Sequence, residues 1–364
     1  MPAFNPLLNP PAFPADRYAP LADRLRNLLG TRNDLVFVQG EAILALEAAA
    51  TSLARPGMVA LNIVTSPYGG MFGTWLRRGG ATVHEVVADA GQPITTEAVA
   101  AALAALPQVD LVAMVHAETS SGILNPLPAI AALVKARGAL LVVDAVASFC
   151  GHPLDVDALD IDVCVTGPQK ALGGPAGLSL VTISAAAWAA MARPPQVTTS
   201  SLSLLDLKTN WLDRGRGVVP GMPSALEFWT LEAAVEALLT EGLEARIARH
   251  AFAARATRSA LHAMGLSPFV ADDASASNLA TAAPVPDGID AGAVIAAAAK
   301  LGVTLTPGFG VIRDRLVRLD HTGDRASFSP ILASVVAYGT GLRSLGAKVD
   351  IGAGAAAVAA AYGK

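Results

Sequence analysis

The sequence predicts an α/β protein: a large domain with a mostly parallel sheet between helices, then a smaller C-terminal α/β domain. Three observations carry this. Short apolar runs such as "GMVALNIV" and "ALLVVDAV" alternate with helix-patterned segments through the first half, the pattern of parallel strands buried on both faces. The chain changes character after Ser184, where regular alternation gives way to an irregular stretch and then a long helical one. With 364 residues, 53% hydrophobic and 15% charged, there is enough apolar material for two cores.

The elements follow in order. "MPAFNPLLNPPAFPAD" is proline-dense and is expected to form an extended arm over residues 1–18. "RYAPLADRLRNLLG" reads as a helix stopped by Gly30. "DLVFVQGE" is a strand and "AILALEAAATSLA" a helix opened at its turn; "GMVALNIV" is the next strand, and "TSPYGGMFGTWLRRGGA" a loop entering a helix. "TVHEVVA" is a strand, and "TTEAVAAALAAL" an amphipathic helix capped by Thr95 or Thr96. "VDLVAMVHAETSSG" is a strand ending in a polar loop, and "PAIAALVKARG" a helix ended by Gly138. "ALLVVDAV", "IDVCVTG" and "LSLVTIS" are strands. After the short helix "AAAWAAMA", residues 194–224 read as irregular and 225–265 as long and helical. The large domain is expected to span 19–242 and the small one 243–364, with "TLTPGFG" and "LVRLDHTG" as short strands and "PILASVVAYGTGLRSLG" as a helix.

Composition narrows the function. A net charge of −4 and a pI near 5.9 leave no basic footprint for nucleic acid. There is no basic leader with an apolar core behind it and no apolar run of about 18 residues, so no membrane is expected and a cytoplasmic location is. Cys150 and Cys164 each sit beside an apolar run and read as small buried hydrophobes. The six histidines lack ligand spacing, so no metal is expected. The apolar content suits an oligomer, expected to be a homodimer, with a tetramer as the alternative.

Four polar residues fall at strand ends, where open α/β sheets keep their sites: Glu41, Thr119, Asp144 and Lys170. Tyr68 lies in a loop of the same kind. Singly, each has a plainer explanation: a solvated lysine, a capping aspartate, a packing tyrosine, a helix-terminal glutamate complementing the dipole. Together they fit pyridoxal chemistry. That chemistry needs a lysine amine to form a Schiff base and move a proton, and a carboxylate at the ring nitrogen so that the ring works as an electron sink. It also needs a flat side chain against the ring and a hydroxyl near the ring oxygen. Lys170, Asp144, Tyr68 and Thr119 supply these in turn.

These segments resemble a known family. "VVDAVASFCG", "DVCVTGPQKALGGPAGLSLVTIS", "GEAILALEAA", "SPYGGMFG", "HAETSSGILNP" and "RLDHTG" are similar to class V, fold-type I aminotransferases of the alanine–glyoxylate/serine–pyruvate kind, over roughly residues 35 to 345. The resemblance implies a cofactor-binding set of Glu41, Ala42, Tyr68, Thr119, Asp144, Val146, Gln169 and Lys170, with Lys170 and Asp144 catalytic. It implies that Arg318 binds the substrate carboxylate, which suits its planar fork, with Tyr68 and Glu41 also meeting substrate. Cysteine desulfurases share the fold, but the stacking histidine and mobile catalytic cysteine expected of them are not found.

The chain departs from the family at the phosphate seat. Relatives carry a Ser-Gly-rich turn after the first strand, whose N–H groups and helix N-terminus cradle the coenzyme's phosphate. Here the turn is Gln39-Gly40-Glu41-Ala42-Ile43. Pro168 stands where relatives have Ser, and Val219 and Met222 stand where a partner-subunit loop brings Tyr and Thr. One branch, the pyridoxamine–pyruvate transaminases, shares the Gly-Glu turn and the Thr-Gly-Pro before the lysine, and treats unphosphorylated pyridoxamine as a substrate. The expectation is therefore amine transfer between a small amino acid, with L-alanine foremost, and free pyridoxal or pyridoxamine. A conventional pyridoxal 5′-phosphate enzyme acting on alanine or serine and glyoxylate, and a non-catalytic vitamin B6 binder, are the alternatives. Phe309 stands where that branch carries a second arginine; the expectation is that either Arg313 or Arg315 reaches in, or the second carboxylate contact is gone.

Overall fold

A computed structural model describes residues 9–364. Of the arm expected over 1–18, residues 1–8 lie outside the described residues. The remainder is anchored: Phe13 is buried, its ring 4.9 Å from that of Tyr18 and 5.6 Å from that of Phe228, and Trp229 Nε1 donates to the Pro11 carbonyl at 2.8 Å.

The first half alternates as the apolar runs require. It comprises α1 (Tyr18–Leu28), β1 (Asp34–Val38), α2 (Ala42–Leu53), β2 (Val59–Val64), α3 (Pro67–Arg78), β3 (Thr82–Val87), α4 (Thr96–Ala105), β4 (Leu111–Val115), α5 (Leu127–Arg137), β5 (Leu140–Asp144), β6 (Val163–Thr166) and β7 (Ser179–Ile183). Short polar side chains start the helices, each accepting a freed backbone N–H: Ser66 from Tyr68 and Thr95 from Ala98. The seven strands form one sheet in the order β1-β7-β6-β5-β4-β2-β3. The run β3, β2, β4, β5, β6 is parallel, whereas β7 is antiparallel to both β6 and β1. β4, β5 and β6 are buried on both faces almost throughout, as the sequence predicts; β3, at the edge, is not, and its "TVHEVV" carries the polar residues an edge tolerates.

The second half corrects two expectations. The stretch read as irregular contains, after α6 (Ala185–Met191), a short helix α7 (Leu204–Asn210) capped by Ser203. The long helical stretch is two helices, α8 (Ala225–Glu241) and α9 (Leu243–Ala263), because Gly242 sits at φ +89, where an α-helix cannot continue. A three-stranded antiparallel sheet follows, ordered β8-β10-β9, from β8 (Ala280–Pro284), β9 (Thr306–Pro307) and β10 (Leu316–Asp320). It packs with α10 (Ala291–Ala299), α11 (Phe328–Ser344) and α12 (Ile351–Ala361) around a second cluster that includes Leu261, Val294, Val317, Val335 and Tyr338. We propose that the domain boundary expected at residues 242/243 falls at the Gly242 break.

A row of buried imidazoles lines the region between the two sheets. His116 and His152 have ring centroids 5.9 Å apart, and His152 Nε2 accepts the Asn278 N–H at 3.0 Å. His321 bonds the Asn278 carbonyl through Nδ1 (2.7 Å) and the Thr281 hydroxyl through Nε2 (2.9 Å), and His250 Nδ1 meets the Arg246 carbonyl at 2.8 Å. Burial pushes His116, His250 and His321 down to about 4 and His152 to about 3. In the unfolded chain these imidazoles protonate near 6.5, so as pH falls the unfolded state takes up protons the folded state refuses, and stability drops between about pH 6.5 and 4. Glu118 and Asp144, raised by burial to about 7 and about 6, and Asp162, also raised by burial, act in the opposite sense, but the four histidines are joined by the lowered carboxyls of Asp23, Asp157, Glu241 and Asp320. The unliganded protein should therefore melt at a lower temperature at about pH 5 than at about pH 7.5 in calorimetry, and an equal or higher midpoint at the lower pH would contradict the neutral-histidine assignment.

Candidate active site

The C-terminal ends of the parallel strands converge on one cleft, lined by Glu41, Tyr68, Glu118, Thr119, Asp144 and Lys170, with Ala42, Val115, Ala117, Val146 and Ala147 as its apolar walls. Its free space, open mouth included, is about 430 Å³. The candidates from separate strand ends thus share one pocket.

Each is held by local geometry. Asp144 ends β5, and its Oδ1 accepts the Val146 N–H at 2.9 Å. Lys170 follows β6 in a loop pinned by the Gly174 N–H on the Pro168 carbonyl (2.7 Å), and buried Arg246 of α9 braces that loop through the Ala171 and Leu172 carbonyls (2.8 and 3.2 Å). The loop after β4 folds back sharply. Asn125 ties it down, donating to the Val115 carbonyl (2.8 Å) and the Thr65 hydroxyl (3.0 Å). That loop delivers Thr119, whose hydroxyl accepts from Lys170 Nζ at 3.3 Å. Tyr68 sits in the first turn of α3. The helix lies close on β2 because Gly69 has no side chain: a Cβ there would stand 3.0 Å from the Ile63 carbonyl oxygen.

Burial sets the electrostatics. Asp144 is 8% exposed and forms no ion pair among the described residues; burial raises its carboxyl to about 6. Burial lowers the Lys170 amine, and the Arg318 charge lowers it further. Lys170 and Asp144 do not hydrogen-bond each other, so the amine and the carboxyl each stay available to a ligand in the cleft. The donor set fits the ring of a vitamin B6 vitamer: one buried carboxylate oxygen without a protein donor for a protonated ring nitrogen, an amine for a carbonyl carbon, and the flat face of Tyr68.

Glu41 is both the helix cap and a pocket residue. Oε2 accepts the Ile43 N–H at 2.9 Å, and Oε1 accepts Gln169 Nε2 at 2.9 Å. This places Gln169 beside the site through Glu41. Val219 is buried, whereas Met222 is 95% exposed. Arg318 lies on β10, near enough to Tyr68 and Lys170 to influence both. Phe309 stacks on Tyr68 with centroids 5.3 Å apart and planes 20° apart. Arg313 and Arg315 are exposed and make no side-chain hydrogen bond to a pocket residue.

Sequence reasoning passed over two acids. Glu118 is fully buried, accepts the Thr65 hydroxyl at 2.9 Å and is raised by burial to about 7. A charged residue directly before Thr119 in a strand-end loop was the available signal. Asp320 lies two residues after Arg318, on the same face of β10, which the two-residue strand period makes visible. Among the described residues, no group of three or more His, Cys, Asp or Glu side chains is arranged to hold a metal ion.

The fold and this lysine-centred cleft agree with the comparisons. The family model for class-V aminotransferases matches residues 16–330, and the chain belongs to that family. It is 40% identical over 342 residues to the pyridoxamine–pyruvate transaminase of Mesorhizobium japonicum, covering 93% of this chain and 86% of that protein. The crystal structure of pyridoxamine–pyruvate aminotransferase from Mesorhizobium loti superposes with a TM-score of 0.91 at 38% identity, covering 95% and 88% of the two chains. The alanine–glyoxylate aminotransferase of Callithrix jacchus is 30% identical over 311 residues, 84% of this chain and 75% of that one.

Replacing Lys170 with Ala should lower amine transfer at least about 100-fold, the usual loss when a positioned proton carrier is removed, with the fold intact by circular dichroism. Undiminished turnover would remove Lys170 from the chemistry.

Proposed function

We propose that this aminotransferase works on the free vitamer, moving an amino group between L-alanine and pyridoxal to give pyruvate and pyridoxamine. The observation that carries this reading is Glu41. A helix N-terminus is an anion seat because its first N–H groups lack partners. At α2 the chain's own carboxylate already takes the Ile43 N–H, and its second oxygen is bonded to Gln169, next to Lys170. A phosphate brought there would meet a negative charge. Two unit charges 4 Å apart repel by about 1 kcal/mol in bulk water and about 4 kcal/mol at an effective dielectric near 20, and the exposed mouth lies toward the lower figure. The similarity to a pyridoxamine–pyruvate transaminase supports the same reading.

The residues divide the work by position. When bound, the vitamer's pyridinium ring supplies an electron sink for the bond being broken at the amino acid's α-carbon. Asp144, ionised above about pH 6, keeps the ring nitrogen protonated. Lys170 Nζ, its basic form favoured by burial, takes the α-proton and returns it on the other side of the transfer. Thr119 orients that amine through the 3.3 Å bond. Tyr68 fixes the plane, and Arg318 holds the amino acid's carboxylate. We also infer a homodimer in the cytoplasm. Among the described residues no helix is long and apolar enough to cross a membrane, and Val218 and Met222 leave apolar side chains exposed on one loop, which suits burial against a second copy.

The test is the vitamer released from purified protein. Protein that is colourless as isolated, and yellows on adding free pyridoxal with turnover of alanine, is the expected result; stoichiometric pyridoxal 5′-phosphate would contradict it. Glu41→Gly should then shift the kcat/KM preference toward the phosphorylated vitamer by about tenfold or more, the equivalent of about 1.4 kcal/mol of relieved repulsion.

A further inference from the structure

Arg318 does not present a free guanidinium. On the same face of β10, Asp320 accepts its Nε at 3.2 Å through Oδ1 and its Nη2 at 2.9 Å through Oδ2, a side-on pair. The side chains are 18% and 11% exposed. Thr306 of the neighbouring strand β9 donates to Asp320 Oδ2 at 2.8 Å and fixes the carboxylate from the other side. Among the described residues, Arg318 Nη1 has no hydrogen-bond partner. Burial opposes ionisation of Asp320, yet the Arg318 charge and these hydrogen bonds hold its carboxyl below the ordinary range, so the pair stays ionised and neutral overall.

Among the described residues, the only other cation that acts here is Lys170, which the proposed function commits to the vitamer. The charged groups that act on Lys170 are Arg318 on one side and Asp320, Glu41 and Asp144 on the other, with Glu118 also acting on Tyr68. The aromatic ring of Phe309 stacks on Tyr68. One carboxylate reaching Arg318 finds a positioned donor edge. A second would enter a region where anions already outnumber cations, against an aromatic face.

We propose that Asp320 is a positioning and specificity residue: it fixes the Arg318 guanidinium by one edge, leaves the Nη1 edge for a single carboxylate, and cancels enough charge that dicarboxylic amino and 2-oxo acids are rejected. This rests on the reading of Arg318 as the carboxylate site. The pair turns an arginine that would attract any anion into a donor that accepts one carboxylate in one orientation.

The test compares alanine with aspartate as amino donor, using pyridoxal as acceptor, in the wild type, Asp320→Asn, Asp320→Ala and Arg318→Lys. The wild type should favour alanine. Both Asp320 variants should shrink the alanine-to-aspartate ratio of kcat/KM at least about tenfold through KM, while kcat with alanine at saturation moves less than about threefold. Thr306→Val, which leaves both charges in place, should shift the ratio the same way by a smaller factor and serves if the Asp320 variants do not fold. A ratio unchanged in the Asp320 variants, or in Thr306→Val if those do not fold, or a wild type that takes aspartate as readily as alanine, overturns the proposal. The two readings fail separately. Arg318→Lys with an unaltered KM for alanine removes the carboxylate site itself. A raised KM there, with inert Asp320 variants, removes only the role of Asp320.

Discussion

The cleft depends on a buried carboxylate and a half-buried amine that do not satisfy each other. Asp144 and Lys170 leave the ends of adjacent parallel strands, one pinned by a backbone N–H, the other held by the Thr119 hydroxyl. Taking such groups out of water is costly, and a direct ion pair would offset part of that cost. The fold instead keeps them apart across a cavity, so a ligand with a ring cation and a carbonyl carbon completes what the protein leaves open. The backbone around them is correspondingly overdetermined: Asn125 clamps one loop, Arg246 braces another, and Gly69 lets α3 close on the sheet.

The second sheet matters to the same cavity. β10 carries Arg318 and Asp320 toward Lys170, and the segment before it lays Phe309 on Tyr68. On the proposed function, the smaller cluster builds the amino-acid end of the site and the larger sheet the ring end. Glu41 adds a third constraint at the head of α2. In the proposed reading, charge in the pocket is arranged against surplus anions at two places, the helix terminus and the arginine.

Most of the large sheet was legible because its strands are β-branched apolar runs with turn residues between them; "LVAMV" and "LLVVD" allow little else. β8 and α10 were not, because "ATAAP" and "AGAVIAAAA" are alanine-rich and carry no clear period. The break at Gly242 was visible as a residue but not as a positive φ. Glu41, Tyr68, Thr119, Asp144 and Lys170 were legible as polar residues at strand ends, and the cleft that gathers them follows from parallel topology. Asp320 and Glu118 were hidden by ordinary contexts. Their importance arises from burial and from partners distant in sequence, Thr306 and Thr65.

The most direct measurement is a crystal structure with pyridoxal soaked into the protein. The account predicts Asp144 within hydrogen-bond distance of the ring nitrogen, Lys170 at the aldehyde carbon, and the Glu41 carboxylate facing the 5′-hydroxyl while still capping α2. A phosphorylated vitamer carried through purification, seated at the head of α2 with Glu41 turned out to bulk water, would contradict it.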